Sequence, residues 1–263
     1  MTTSPFPAGT FTPAPGRGRL GRMLLTHARV ETALTLRHGE QILLTLLIPL
    51  AMLIGLSLLD ILPAGDLAGM ERVDWITPRI LTLAVLSSAF TGQAIALSFD
   101  RRYGVLKRLS ATALPRWLLV AGRLVAALVV VALQVLVLGV VAALLGWSPS
   151  TAGIAFAVAL VVLGTVCFGA LGVLLGGALR AEAVLALANI VWFVLLLAGG
   201  ILMVPSALPD TYAAIVTFLP SGALAEGLHA ALVDGTFSGA SCAVLACWAA
   251  VAAAVAAKTT KLT

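Results

Sequence analysis

Long apolar runs separated by short polar connections dominate the chain, at about 42–62, 80–99, 117–145, 153–179, 184–204 and 240–257. A bilayer core roughly 30 Å thick needs about 20 largely apolar residues of helix. The pattern therefore predicts an all-α integral membrane protein with six transmembrane helices in one domain, 41–257. The third run would be about 43 Å long at 1.5 Å per residue, so it must tilt or project beyond the hydrocarbon. Pro49 marks an expected kink in the first run, of a kind neighbouring helices tolerate.

The flanks differ in pattern. Residues 1–16, rich in Pro, Thr, Ser and Gly, predict a disordered tail. Across 17–40 the period turns helical and amphipathic: Leu20, Met23, Leu24, Val30 and Leu34 share one face, and Arg22, Thr26, Arg29, Arg37 and Glu40 the other. Such a helix lies in the headgroup layer. Between Pro205 and Gly239, turn signals at Pro205, Pro209, Pro220 and Gly222 alternate with apolar pieces too short to span. They predict a pair of helices over 206–235 that enters the membrane without crossing it. Pro205, Pro209, Pro220 and Glu226 are its candidate outer-gate residues.

Composition agrees: 61% hydrophobic, 10% charged, mean hydropathy +1.11. A water-soluble fold would need far more polar surface. The net charge of +5 does not point to nucleic acid, because the basic residues sit at the ends of apolar runs with no basic face interleaved with aromatics. Their placement gives orientation instead. Of 16 Lys and Arg, 14 fall on one set of flanks, and seven of 11 acidic residues fall on the other. The positive-inside rule makes the first set cytoplasmic, with both termini, including the tail 258–263, on that side. The densest basic segment runs from Asp100 through Arg101, Arg102, Lys107 and Arg108 to Arg116.

Few residues offer chemistry. Cys167, Cys242 and Cys247 lie in apolar runs and read as small buried hydrophobes. His27, Glu31 and His38 interrupt the apolar side of the amphipathic helix; a metal site wants three or four ligands, and pairing with each other or with a neighbouring helix is the better expectation. Gln93, Gln134 and Asn189 are polar groups inside spans, which normally face a bundle interior. They either hydrogen-bond between helices or line a substrate path. No Asp, Glu or Lys stands near mid-span, which argues against a proton- or ion-coupled carrier. Gly172 and Gly176, in GxxxG spacing, permit close helix packing within the chain or between two copies.

Three features together carry a resemblance: the amphipathic helix, the loop Asp100-Arg-Arg-Tyr-Gly-Val-Leu-Lys-Arg-Leu-Ser-Ala-Thr-Ala-Leu-Pro-Arg116, and the pair Gly199-Gly-Ile-Leu-Met-Val-Pro-Ser-Ala-Leu-Pro209 and Phe218-Leu-Pro-Ser-Gly222. From about Leu20 onward the chain resembles a type 2 ABC export permease, the family of daunorubicin-resistance and polysaccharide or lipid export permeases. Where the family loop usually opens with Glu, this chain has Asp100. The resemblance implies that 17–40 is an elbow helix, that the basic loop is a coupling helix docking on a cytoplasmic ATPase, and that the segment after the fifth span is an outer re-entrant hairpin. It assigns coupling to Asp100, Arg101, Arg102, Tyr103, Gly104, Leu106, Lys107, Arg108, Leu109 and Pro115. Leu106 and Leu109, three residues apart, are expected to form an apolar anchor exposed to the ATPase. It further implies a second permease copy or paralogue, contact with membrane lipids, and ATP with Mg held by the partner rather than this chain. The sequence agrees in lacking GxxxxGK[ST]. The competing class, a membrane-embedded enzyme or scaffold, should display a cluster of His, Asp or Glu at one interface.

Overall fold

A computed structural model of the chain describes residues 18–37, 39–59, 70–111, 114–202 and 209–259. The tail 1–16, His38, most of the connection after the first run and Pro205 lie outside the described residues. Within them the chain is helical, with no strand. In order the helices are α1 (Leu20–Arg37), α2 (Gly39–Leu58), α3 (Arg72–Val85), a π-helical segment (Leu86–Gly92) and α4 (Gln93–Arg102). They continue with α5 (Val105–Ser110), α6 (Arg116–Leu144), α7 (Ile154–Ala178), α8 (Ala181–Ala198), α9 (Asp210–Phe218), α10 (Pro220–Leu232) and α11 (Gly239–Thr259).

Among the described residues, five helices are long and apolar enough to cross a membrane, or six if the bent pair α9–α10 counts as one broken span. The described apolar part of α2, Thr45–Leu58, is shorter than a span. α6, α7 and α11 begin and end within two residues of the expected limits. The second run does not. Its helix is continuous from Arg72 to Arg102, 31 residues, so Arg72, Asp74 and Arg79, expected in a connection, lie within it. The fifth ends early, at Ala198 rather than near 204, because Gly199 caps it and Gly200 takes φ +86°, a conformation that glycine adopts readily.

α7 is apolar on all sides and sits at the centre, packed on α11, α4, α10, the π segment and α6. Its glycines let backbones approach. A Cβ on Gly172 would stand 2.8 Å from the Phe90 carbonyl oxygen, and one on Gly176 would stand 2.5 Å from that of Ala94. The GxxxG pair thus packs within the chain. α1 lies along α6, where the buried His27 ring rests on Gly122; a Cβ there would meet His27 Cδ2 at 2.3 Å. His27 Nε2 lies 3.4 Å from the Leu119 carbonyl oxygen and 3.8 Å from Glu31 Oε1, so His27 pairs with both its own helix and its neighbour.

Candidate functional site

The basic segment folds into a compact knob at one end of the bundle. α4 stops at Tyr103, Gly104 turns the chain with φ +70°, and α5 follows as six residues. Arg101 Nη1 donates to the carbonyls of Gly176 (2.9 Å) and Leu179 (3.1 Å) at the end of α7, where backbone acceptors are unpaired and a cation is favoured. Arg102 forms an ion pair with Glu182 at the start of α8. Asp100 pairs with the buried Arg123 of α6. Three of the charges expected to face a partner therefore tie α4 to α6, α7 and α8.

Leu106 overturns an expectation more sharply. It is 3% exposed and packs in a cluster with Leu97, Val173 and Ala256, with Leu109 partly buried against it. The Leu106 and Leu109 face pins α5 to the bundle instead of meeting a partner. The opposite side is what the knob presents: Tyr103, 67% exposed, with Val105, Lys107 and Arg108. Pro115 caps the start of α6.

In the middle of the bundle the π segment gathers polar groups. Trp192 Nε1 of α8 donates to Ser87 Oγ at 2.8 Å, and Ser88 Oγ donates to Gln134 Oε1 of α6 at 2.7 Å. Gln134 Nε2 in turn donates to Thr45 Oγ1 of α2 at 3.1 Å. Within this π segment the adjacent serines reach different helices, and such segments are frequent at functional sites. Gln134, fully buried, is thus an interhelical bond. Gln93 lines a cavity of about 470 Å³ beside it. Asn189 stands apart: it is exposed on α8 and its amide donates to the Leu185 carbonyl of its own helix at 2.9 Å, so it lines no path within this chain.

At the other end lies a cluster that the sequence did not disclose. Arg79 is 2% exposed. Its guanidinium lies 3.9 Å from the Trp75 ring centroid, donates to the Trp75 carbonyl at 2.8 Å, and reaches Glu226 Oε1 and His229 Nδ1 of α10, each at 3.4 Å. α9 and α10 meet at a bend of 86°, with Pro209 capping α9 and Pro220 opening α10. The Gly199-Gly200 turn seats against this bend: Ser221 Oγ donates to the Gly199 carbonyl at 2.7 Å, and Gly222 leaves room for the Val216 carbonyl. The signal for Arg79 was a cation one helical turn after Trp75, at the head of the apolar run from Ile80.

A helical bundle with five or six apolar span candidates, its charge gathered at the ends, defines a multi-pass membrane protein. Residues 23–233 match the family model described as ABC-2 type transporter. The chain belongs to that family and is a type 2 ABC transporter permease, which implies a partnership with ABC ATPase subunits. No curated relative matches the chain.

Proposed function

We propose that the chain is the permease of an exporter in a bacterial plasma membrane, with both termini cytoplasmic. It moves an amphipathic drug, lipid or lipid-linked glycan out of the cytoplasm or inner leaflet. Two permease copies, or one with a paralogue, work with an ATPase pair that holds ATP and Mg. α1 serves as the elbow, α5 as the coupling helix, and α9–α10 as an outer re-entrant hairpin whose Pro209, Pro220 and Glu226 belong to the gate.

One observation carries this reading. The knob shows Tyr103, Val105, Lys107 and Arg108 on its exposed side, while Leu106 and Arg101 fasten its inner side to α7 and α11. An exposed aromatic ringed by cations is a suitable docking surface, and a rigid attachment can pass a push on it to the spans. The test is co-purification with the cognate ATPase. Tyr103→Ala with Val105→Asp is expected to release the ATPase and stop transport while the permease still folds. A variant that keeps its ATPase and transports at the parental rate would show that this surface is not the coupling element.

A further inference from the structure

The cavity of about 470 Å³ lies between α1, α2, α4 and α6, within the size range of sites for drug-sized ligands. Apolar side chains form much of its wall, among them Leu34, Ile42, Ala127 and Val130. Among the described residues, three charged ones line it: Glu31, Asp100 and Arg123. Arg123 and Asp100 form an ion pair and cancel, which leaves the Glu31 carboxylate. The imidazole near it, His27, has Nε2 3.8 Å from the carboxylate, beyond hydrogen-bond reach, and closer to the Leu119 carbonyl oxygen at 3.4 Å, so the carboxylate keeps its acceptor positions for a ligand.

Two further features fit the same ligand. Phe99 and Tyr103, both lining the cavity, stack with ring centroids 6.0 Å apart, and aromatic faces attract organic cations. Gln93 lines it as well, and its amide makes no hydrogen bond among the described residues, so a donor and an acceptor stand available to a bound molecule.

We infer that this cavity binds an organic cation with an apolar body. The charged group sits by Glu31 and the stacked aromatics, and the body lies against Ala127 and Val130. The site belongs to a single chain, and needs no second permease copy to be complete. It extends the transport reading by naming a ligand class, and rests on that reading only for why the ligand is held. Binding is measured on the permease alone, without ATPase or ATP, and coupling by co-purification of the ATPase, so the two readings fail separately even though Tyr103 and Val105 border both the knob and the cavity.

The probe pair is tetraphenylphosphonium and tetraphenylborate, equal in shape and opposite in charge, offered to the full chain in phosphatidylcholine nanodiscs. Radiolabelled tetraphenylphosphonium is expected to bind saturably and to resist competition by tetraphenylborate. Glu31→Gln should weaken it about tenfold, the scale of one carboxylate at close range in a partly screened site. Ala96→Phe, which fills the cavity from α4, should abolish it, whereas Glu182→Gln, whose residue pairs with Arg102 outside the cavity, should leave it unchanged. Equal competition by tetraphenylborate, or parental affinity in both Glu31→Gln and Ala96→Phe, overturns the inference.

Discussion

Gly176 of α7 lies so close to Ala94 of α4 that a Cβ would stand 2.5 Å from the Ala94 carbonyl oxygen. The obstructing atom is backbone and cannot rotate aside, so even a methyl group must push two helices apart. Gly176→Ala is expected to cost about 1–3 kcal/mol, the usual penalty for overpacking, and Gly176→Leu to prevent folding. Gly55 of α2 provides the control, since a Cβ there meets nothing within 4 Å. Thermal unfolding of the purified protein, followed by tryptophan fluorescence, reads the difference. An unchanged Tm for Gly176→Ala would mean that α4 and α7 do not meet in this register.

The two sides of α5 should separate under substitution. Leu106 is buried among Leu97, Val173 and Ala256, so Leu106→Ala should cost about 2–4 kcal/mol, and Leu106→Asp should lose the folded protein in detergent. Tyr103→Ala, on the exposed side, should leave stability within about 0.5 kcal/mol. The check is a pair of unfolding curves. Equal stability of Leu106→Ala and Tyr103→Ala would place Leu106 at the surface.

What was legible in the sequence was set by local physics. Apolar length fixes how many residues a span needs, so α6, α7 and α11 could be placed to within two residues. The spacing of Gly172 and Gly176 announced a close contact but could not name α4 as its partner. Leu106 and Leu109 were correctly put on one helical face, yet the residues that cover Leu106 come from α4, α7 and the distant α11, so the direction of that face was open. Arg79 was misplaced for a related reason: a charge near an apolar run reads as a flank unless its counter-charge is known, and Glu226 is 147 residues further along. Asn189 shows the limit for polar groups within spans, because period alone does not tell a bundle-facing side from an outward one.

Orientation is tested by single-cysteine labelling after the native cysteines are replaced, which matters because Cys247 is exposed. A cysteine at Asp210 should react with an impermeant thiol reagent added outside intact cells. One at Lys107 should react only after the membrane is opened. The motivation is the charge asymmetry of the flanks. The reverse pattern would turn the proposed topology over.

The Arg79 cluster makes the strongest demand on the fold, because a guanidinium 2% exposed has left water for one carboxylate, one imidazole and an aromatic face. Desolvating such a charge is costly, and the cost shows when its partner is removed. Glu226 is 36% exposed, so part of its own charge is screened and the expected losses are below those of a fully buried pair. Glu226→Gln retains an oxygen acceptor for Arg79 and should cost about 0.5–1.5 kcal/mol. Glu226→Leu strands the cation and should cost about 2–3 kcal/mol. Arg79→Met with Glu226→Leu removes both charges and should recover at least half of that loss. If the ion pair also holds α10 against α3 during transport, Glu226→Leu should change transport in the assembled complex while the ATPase remains bound. Unfolding midpoints of Arg79→Met, Glu226→Leu and the double variant close the cycle. Strictly additive losses would show that Arg79 and Glu226 do not act as a pair, and would remove the proposed attachment of α10 to α3 at the gate.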